Sequence, residues 1–81
     1  MEIFYKPSVS KQLKKIPKSE IKKIAKKLIL LAENPYSGKP LKREFEGEYS
    51  LKVWPYRIIY HVQGKKIIIL SIAHRQNVYK V

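Results

Sequence analysis

The chain has 81 residues, with 18 Lys and Arg against 6 acidic residues, a formal net charge of +12, and no Cys. That length admits one small domain, and the lack of Cys excludes a disulfide framework or a cysteine-rich zinc site. The longest apolar runs, 28–32 and 67–73, fall far short of the about 20 residues that span a bilayer. The charged start is unlike a secretory leader, so a cytoplasmic protein is expected.

Ile3-Phe4-Tyr5 is a short β-prone run that Pro7 ends. Ser8 offers an N-cap, and Val9, Leu13 and Ile16 then recur at i, i+4, i+7, the stripe of a short helix. Pro17 closes it, and Ser19 is placed to cap the next. Ile21, Ile24, Ala25, Leu28, Leu31 and Ala32 form the apolar face of that second, longer helix. Lys22, Lys23, Lys26 and Lys27 fill its opposite face, and Asn34-Pro35 stops it. The helices pair as a hairpin with an apolar inner seam.

Residues 35–46, with Pro35, Gly38 and Pro40, are expected to form a loop. Beyond Gly47 the period changes to two. Tyr49, Leu51 and Val53 alternate with Ser50, Lys52 and Trp54. Tyr56, Ile58, Tyr60 and Val62 alternate with Arg57, Ile59 and His61. The run 67–73 is nearly continuous in apolar character, as for a strand covered on both faces. Trp54-Pro55 and Gln63-Gly64 separate three strands that form antiparallel hairpins. The fold class is therefore α+β, in the order β-α-α-β-β-β. An N-terminal helical hairpin packs on one face of a small, mainly antiparallel sheet, and residues 1–81 make one domain.

If Trp54-Pro55 is the turn, Val53 faces Tyr56, Leu51 faces Ile58, and Lys52 falls opposite Arg57. Proline at the second turn position allows a wider loop, but the parity holds, since another would set apolar residues against charges. Two cations directly opposite on a sheet are destabilising, so their juxtaposition points to a face that receives an anion. The bland alternative is a pair of snorkelling surface cations. Alternation assigns Tyr49, Tyr56 and Tyr60 to the helix-facing core and leaves Trp54 exposed at the turn.

The charge is spread along the chain, with nine Lys and three Glu in residues 1–33 and nine Lys or Arg and three Glu in 34–81. An even spread describes a basic folded body, which favours an anionic partner. Nucleic acid ranks first, an acidic protein second and an anionic membrane a distant third.

The segment 49–60, Tyr-Ser-Leu-Lys-Val-Trp-Pro-Tyr-Arg-Ile-Ile-Tyr, is followed by Ala73-His74-Arg75-Gln76-Asn77-Val78-Tyr79. Together they resemble the RelE/ParE superfamily of toxins from type II toxin–antitoxin pairs, in its RelE-like branch. The resemblance is close over 49–79, while the β-α-α start agrees in order and length. It implies a ribosome-dependent endoribonuclease that cleaves mRNA in the ribosomal A site and is silenced by a cognate acidic antitoxin. Carried over position by position, the catalytic set falls on Lys52, Arg57, Arg75 and Tyr79. Ser50 stands where many nuclease relatives carry a second Lys or Arg, which removes one phosphate contact.

Those residue types suit metal-free RNA cleavage, in which a ribose 2′-OH attacks the neighbouring phosphorus to leave a 2′,3′-cyclic phosphate and a 5′-OH. Arg57 and Arg75 stabilise the developing charge, and Tyr79 stacks on a base or aligns the 2′-OH. Lys52 serves as base only with a lowered pKa, which Arg57 beside it would promote. His74 is a second candidate for acid or base, its ordinary alternative being a bond to a backbone carbonyl. Lys22, Lys23, Lys26, Lys27 and Trp54 are candidates for contact with RNA or ribosome, and His61 is a surface or cross-strand residue. With two His and neither Cys nor Asp, no metal site and no cofactor are expected. The competing readings are a ParE-like toxin that inhibits DNA gyrase and a catalytically weak, basic RNA-binding relative.

Overall fold

A computed structural model describes residues 2–42 and 47–74. Strand β1 (Glu2–Tyr5) is followed by helices α1 (Pro7–Lys14) and α2 (Lys18–Glu33). Then come β2 (Lys39–Pro40), β3 (Glu48–Val53), β4 (Tyr56–Gln63) and β5 (Lys66–His74). The sheet order is β1-β5-β4-β3-β2. Strands β2 to β5 are antiparallel neighbours, and β1 lies parallel to β5. The α+β class and the helices on one sheet face are as the sequence predicts.

The helix starts differ from expectation. Lys6 and Pro17, not Ser8 and Ser19, occupy the N-cap positions, and neither end has a side-chain cap. Pro7 stands at the first helical position, where its fixed φ suits the helix and its missing N–H costs no bond. The expected loop 35–46 also holds a short strand. Lys39 and Pro40 pair with Ser50 and Tyr49, and the Leu41 N–H donates to the Glu48 carbonyl at 2.9 Å.

Val9, Ile24, Leu28 and Leu31 of the helices meet Val53, Ile58, Tyr60, Ile67, Ile69 and Ile72 of the sheet in one buried core. Leu13 and Ile16 pack against its margin, as the helical stripe predicts. Strand β5, read as covered on both faces, is fully buried only on the helix side; Ile68, Leu70 and Ala73 are half-buried. A register shift where Ile59 pairs with Ser71 but Tyr60 with Ile69 leaves Leu70 unpaired, so the apolar run conceals an interrupted alternation.

Strand β1 covers the edge of β5 only as far as Ile69. Beyond it Gln12 of α1 takes over. The Ile72 N–H donates to its Oε1 at 2.8 Å, and its Nε2 donates to Ser71 Oγ at 3.3 Å. One side chain thus satisfies the edge N–H of Ile72, which a strand would otherwise pair, and is itself held by the Ser71 hydroxyl.

At the opposite side of the sheet, Tyr60 ties the segment after α2 to the core. Its hydroxyl donates to the Pro35 carbonyl at 2.9 Å and accepts from the Gly38 N–H at 3.0 Å. Tyr49 stacks on Tyr60 with ring centroids 5.5 Å apart, and Tyr36 meets Tyr49 edge-on. All three tyrosines expected on the helix-facing side lie there: Tyr60 fully buried, Tyr49 and Tyr56 packed at the core margin.

Candidate functional site: a basic sheet face and turn

The β3–β4 turn is the two residues Trp54 and Pro55, with a cis peptide between them, rather than a wider loop. Cis proline suits the third place of a four-residue turn. Val53 pairs with Tyr56, Leu51 with Ile58, and Lys52 with Arg57, the register that alternation predicts.

Residues directly opposite share a face, and Lys52 and Arg57 alternate with the core residues Val53 and Ile58. Both therefore stand on the sheet face turned away from the helices. Arg57 is paired on its other side with Ala73, whose small side chain adds no charge. The next row on this face holds Ser50, Ile59 and Ser71, with Ser50 buried. Glu48 and His61 pair in the row beyond, so His61 is a cross-strand residue as expected. Positive charge thus gathers at the turn end of the open face.

His74 lies elsewhere. It pairs with Tyr56 on the helix-facing parity and meets that ring edge-on at 5.6 Å. With Gln12, Lys15, Ile16 and Tyr56 it lines a hollow of about 350 Å³ beside α1. The structure brings together Lys52 and Arg57 and sets His74 on the other side of the sheet. Arg75 and Tyr79 lie outside the described residues.

The lysines of α2 come to the same end of the molecule. Lys23, Lys26, Lys27 and Leu30 line a hollow of about 570 Å³ with Lys52, Val53 and Trp54. The Lys52 Nζ stands 5.3 Å from the Trp54 ring centroid, a cation–π distance. Lys22 is exposed but outside this lining, and Lys23 also pairs with Glu20 at 3.4 Å one turn back. Leu30 was not singled out from the sequence. It lies off the buried stripe yet is 57% exposed between lysines, and an apolar residue out of phase was the signal that could have found it.

Among the described residues no group of three or more His, Cys, Asp or Glu is gathered that could hold a metal ion, and no helix is long and apolar enough to cross a membrane.

The sequence profile of the family described as ParE toxin of type II toxin–antitoxin system, parDE, matches residues 3–79. The chain belongs to this family. It is thereby a type II toxin of the RelE/ParE superfamily. Toxin RelG of Mycobacterium tuberculosis is 36% identical over 45 residues, 53% of this chain and 52% of that protein. The match spans about half the length of that curated relative. The toxin–antitoxin complex RelBE2 of the same organism contains a chain with TM-score 0.84 and 26% identity, over 91% of this toxin and 96% of that chain. YafQ from E. coli superposes with TM-score 0.79 over 98% of both chains, at 22% identity, a likeness of fold alone.

Proposed function

We propose that this toxin is a ribosome-dependent mRNA endoribonuclease, held silent by a cognate acidic antitoxin. The observation that carries the reading is the pairing of Lys52 with Arg57 on the open sheet face. Like charges in directly opposite positions are destabilising, and an anion between them removes that cost. A scissile phosphate is such an anion, and its charge grows as the 2′-oxygen attacks phosphorus and the 5′-oxygen departs. Cations already in place stabilise that growing charge without reorganising. Arg75 and Tyr79 complete the set by resemblance, as a further cation and as a ring or hydroxyl to hold the attacking nucleotide.

The antitoxin reading draws on the charge of +12 and on a structural relative whose toxin chain was solved in a toxin–antitoxin complex. An acidic segment over the basic face would screen Lys52 and Arg57 from RNA.

In vitro translation with the purified toxin, with mRNA ends mapped by primer extension, tests the proposal. Cuts within A-site codons are expected, and they should persist on pre-assembled ribosome complexes without added transition metals. Strict dependence on zinc or manganese would overturn the metal-free mechanism. The matched family's ParE name favours a second reading, inhibition of DNA gyrase by binding. Loss of supercoiling with no mRNA cuts would establish that reading instead.

A further inference from the structure

The hollow between α2 and the β3–β4 turn sets beside Lys52 features that the cleavage chemistry does not require: three more lysines and an indole. Its rim carries Lys23, Lys26 and Lys27 from α2 and Lys52 from β3, its apolar lining is Leu30 and Val53, and Trp54 forms one wall. Trp54 is 55% exposed although it is the largest side chain of the molecule. A volume of about 570 Å³ lies within the range that holds a small-molecule-sized group.

We propose that this hollow is a nucleotide subsite, in which one base of single-stranded RNA stacks on Trp54 while its phosphates are held by Lys23, Lys26 and Lys27. The inference rests on the RNA reading above and extends it from the reacting phosphate to a neighbouring nucleotide. Lys52 links the two places, since it lines the hollow and also pairs with Arg57 on the open face. A strand that leaves the Lys52–Arg57 pair around the turn therefore enters the hollow next.

The chemistry selects the occupant. Four lysines and one indole lining a single hollow match a polymer that alternates a planar ring with an anion. An acidic peptide supplies the charge but no ring for each charge. A duplex keeps its bases stacked on one another and cannot lend one to Trp54. Stacking on an aromatic ring tolerates every base, so the subsite adds affinity and direction to the strand without sequence preference.

Trp54 is the only tryptophan, so its fluorescence reports this site alone. The probe is a 2′-O-methyl hexauridylate, which lacks the 2′-OH that cleavage needs; an abasic hexamer with the same phosphates is the control. The hexauridylate should quench Trp54 and bind about 5- to 100-fold more tightly than the abasic strand, the range of one stacked base. With a fluorescein-labelled probe read by anisotropy, Trp54→Leu should abolish that preference. Lys26→Ala with Lys27→Ala should lower the slope of log K against log salt by about 1.4, near 0.7 for each phosphate no longer neutralised. Lys65→Ala, in the β4–β5 turn at the other end of the sheet, should leave quenching unchanged. Equal affinity for the two strands with no quenching overturns the subsite. Quenching by an oligoglutamate as strong as that by hexauridylate overturns it in favour of an acidic-peptide site. Wild-type toxin that cuts mRNA on the ribosome yet shows no quenching fails the subsite alone. Wild-type toxin that cuts nothing fails the nuclease reading.

Discussion

At the scale of single residues, two kinds of side chain are expected to answer mutation in opposite ways. Arg57 stands on the open sheet face opposite Lys52, where the proposed function puts the scissile phosphate. Arg57→Ala, Arg75→Ala and Tyr79→Ala should keep ribosome binding and lower single-turnover cleavage on the order of 10²-fold or more, as when a group that stabilises the transition state is removed. Wild-type rates at saturation would refute the assignment. Tyr60, by contrast, should affect stability. Its hydroxyl serves both the Pro35 carbonyl and the Gly38 N–H, and Tyr60→Phe leaves both groups without that partner, at about 1–3 kcal/mol in urea unfolding. A Cβ built on Gly38 would lie 2.5 Å from the same hydroxyl oxygen, so Gly38→Ala should cost about 1–3 kcal/mol through overpacking. The two losses should be less than additive, because both release the same hydrogen bond. Burial raises the Tyr60 pKa above its ordinary value of about 10, against the opposing hydrogen bond from Gly38. Between these values the unfolded chain is ionised and the folded one is not. This contribution is therefore complete below about pH 10 and is lost as pH rises through the folded value. Tyr60→Phe should remove that part of the alkaline fall in unfolding free energy.

At the scale of elements, α1 works as the continuation of β1. Where the strand stops, Gln12 supplies the acceptor that Ile72 needs. Gln12→Leu fills similar space without that acceptor, and should cost about 1–3 kcal/mol. Hydrogen exchange of the Ile72 amide should accelerate more than that of Ile69, which lies where β1 still covers β5. Equal acceleration of both amides would show that the loss is global rather than a matter of the strand edge. Helix α2 is divided lengthwise by its periodicity: Ile24, Leu28 and Leu31 are buried, while its lysines face outward. Ile24→Ala should cost about 2–5 kcal/mol by opening a cavity, and charge changes on the lysines should leave stability nearly constant.

For the whole molecule, a net charge of +12 on 81 residues must act on both folding and association. Self-repulsion weakens the free protein, and salt screens it. The melting temperature should therefore rise by several degrees from low salt to about 0.3 M, where the Debye length falls to several Å. A flat or falling melting curve would mean that the cations are already compensated within the fold. Association with an acidic antitoxin should behave in the reverse manner, fast at low ionic strength and slower as salt increases. An association rate indifferent to salt would count against a charge-steered partner.

The sequence by itself determined whatever depends on period and parity. Alternation across residues 49–62 is enough to put Lys52 and Arg57 on one face, because a slip of one residue would expose Val53 and Ile58 and bury the cations; their direct opposition follows once Trp54-Pro55 is the whole turn. The spacing of Val9, Leu13 and Ile16, and of Ile24, Leu28 and Leu31, likewise assigns both helical faces. The local motif around 49–79 is sufficient to identify the superfamily. Tertiary structure alone decided what depends on distant segments meeting. The pairing of Lys39-Pro40 with β3, the clasp of Tyr60 on Pro35 and Gly38, and the reach of Gln12 to Ile72 join positions with no common period. The place of His74 illustrates the same limit. It follows Ala73 in sequence, but parity sends the two residues to opposite faces, and only the paired register with Tyr56 shows which face is which. The hollow behind Trp54 is likewise invisible in one dimension. Three of its lysines come from a helix, the fourth from a strand and its indole from a turn, and they converge only because α2 and the end of β3 bury their apolar sides in one core.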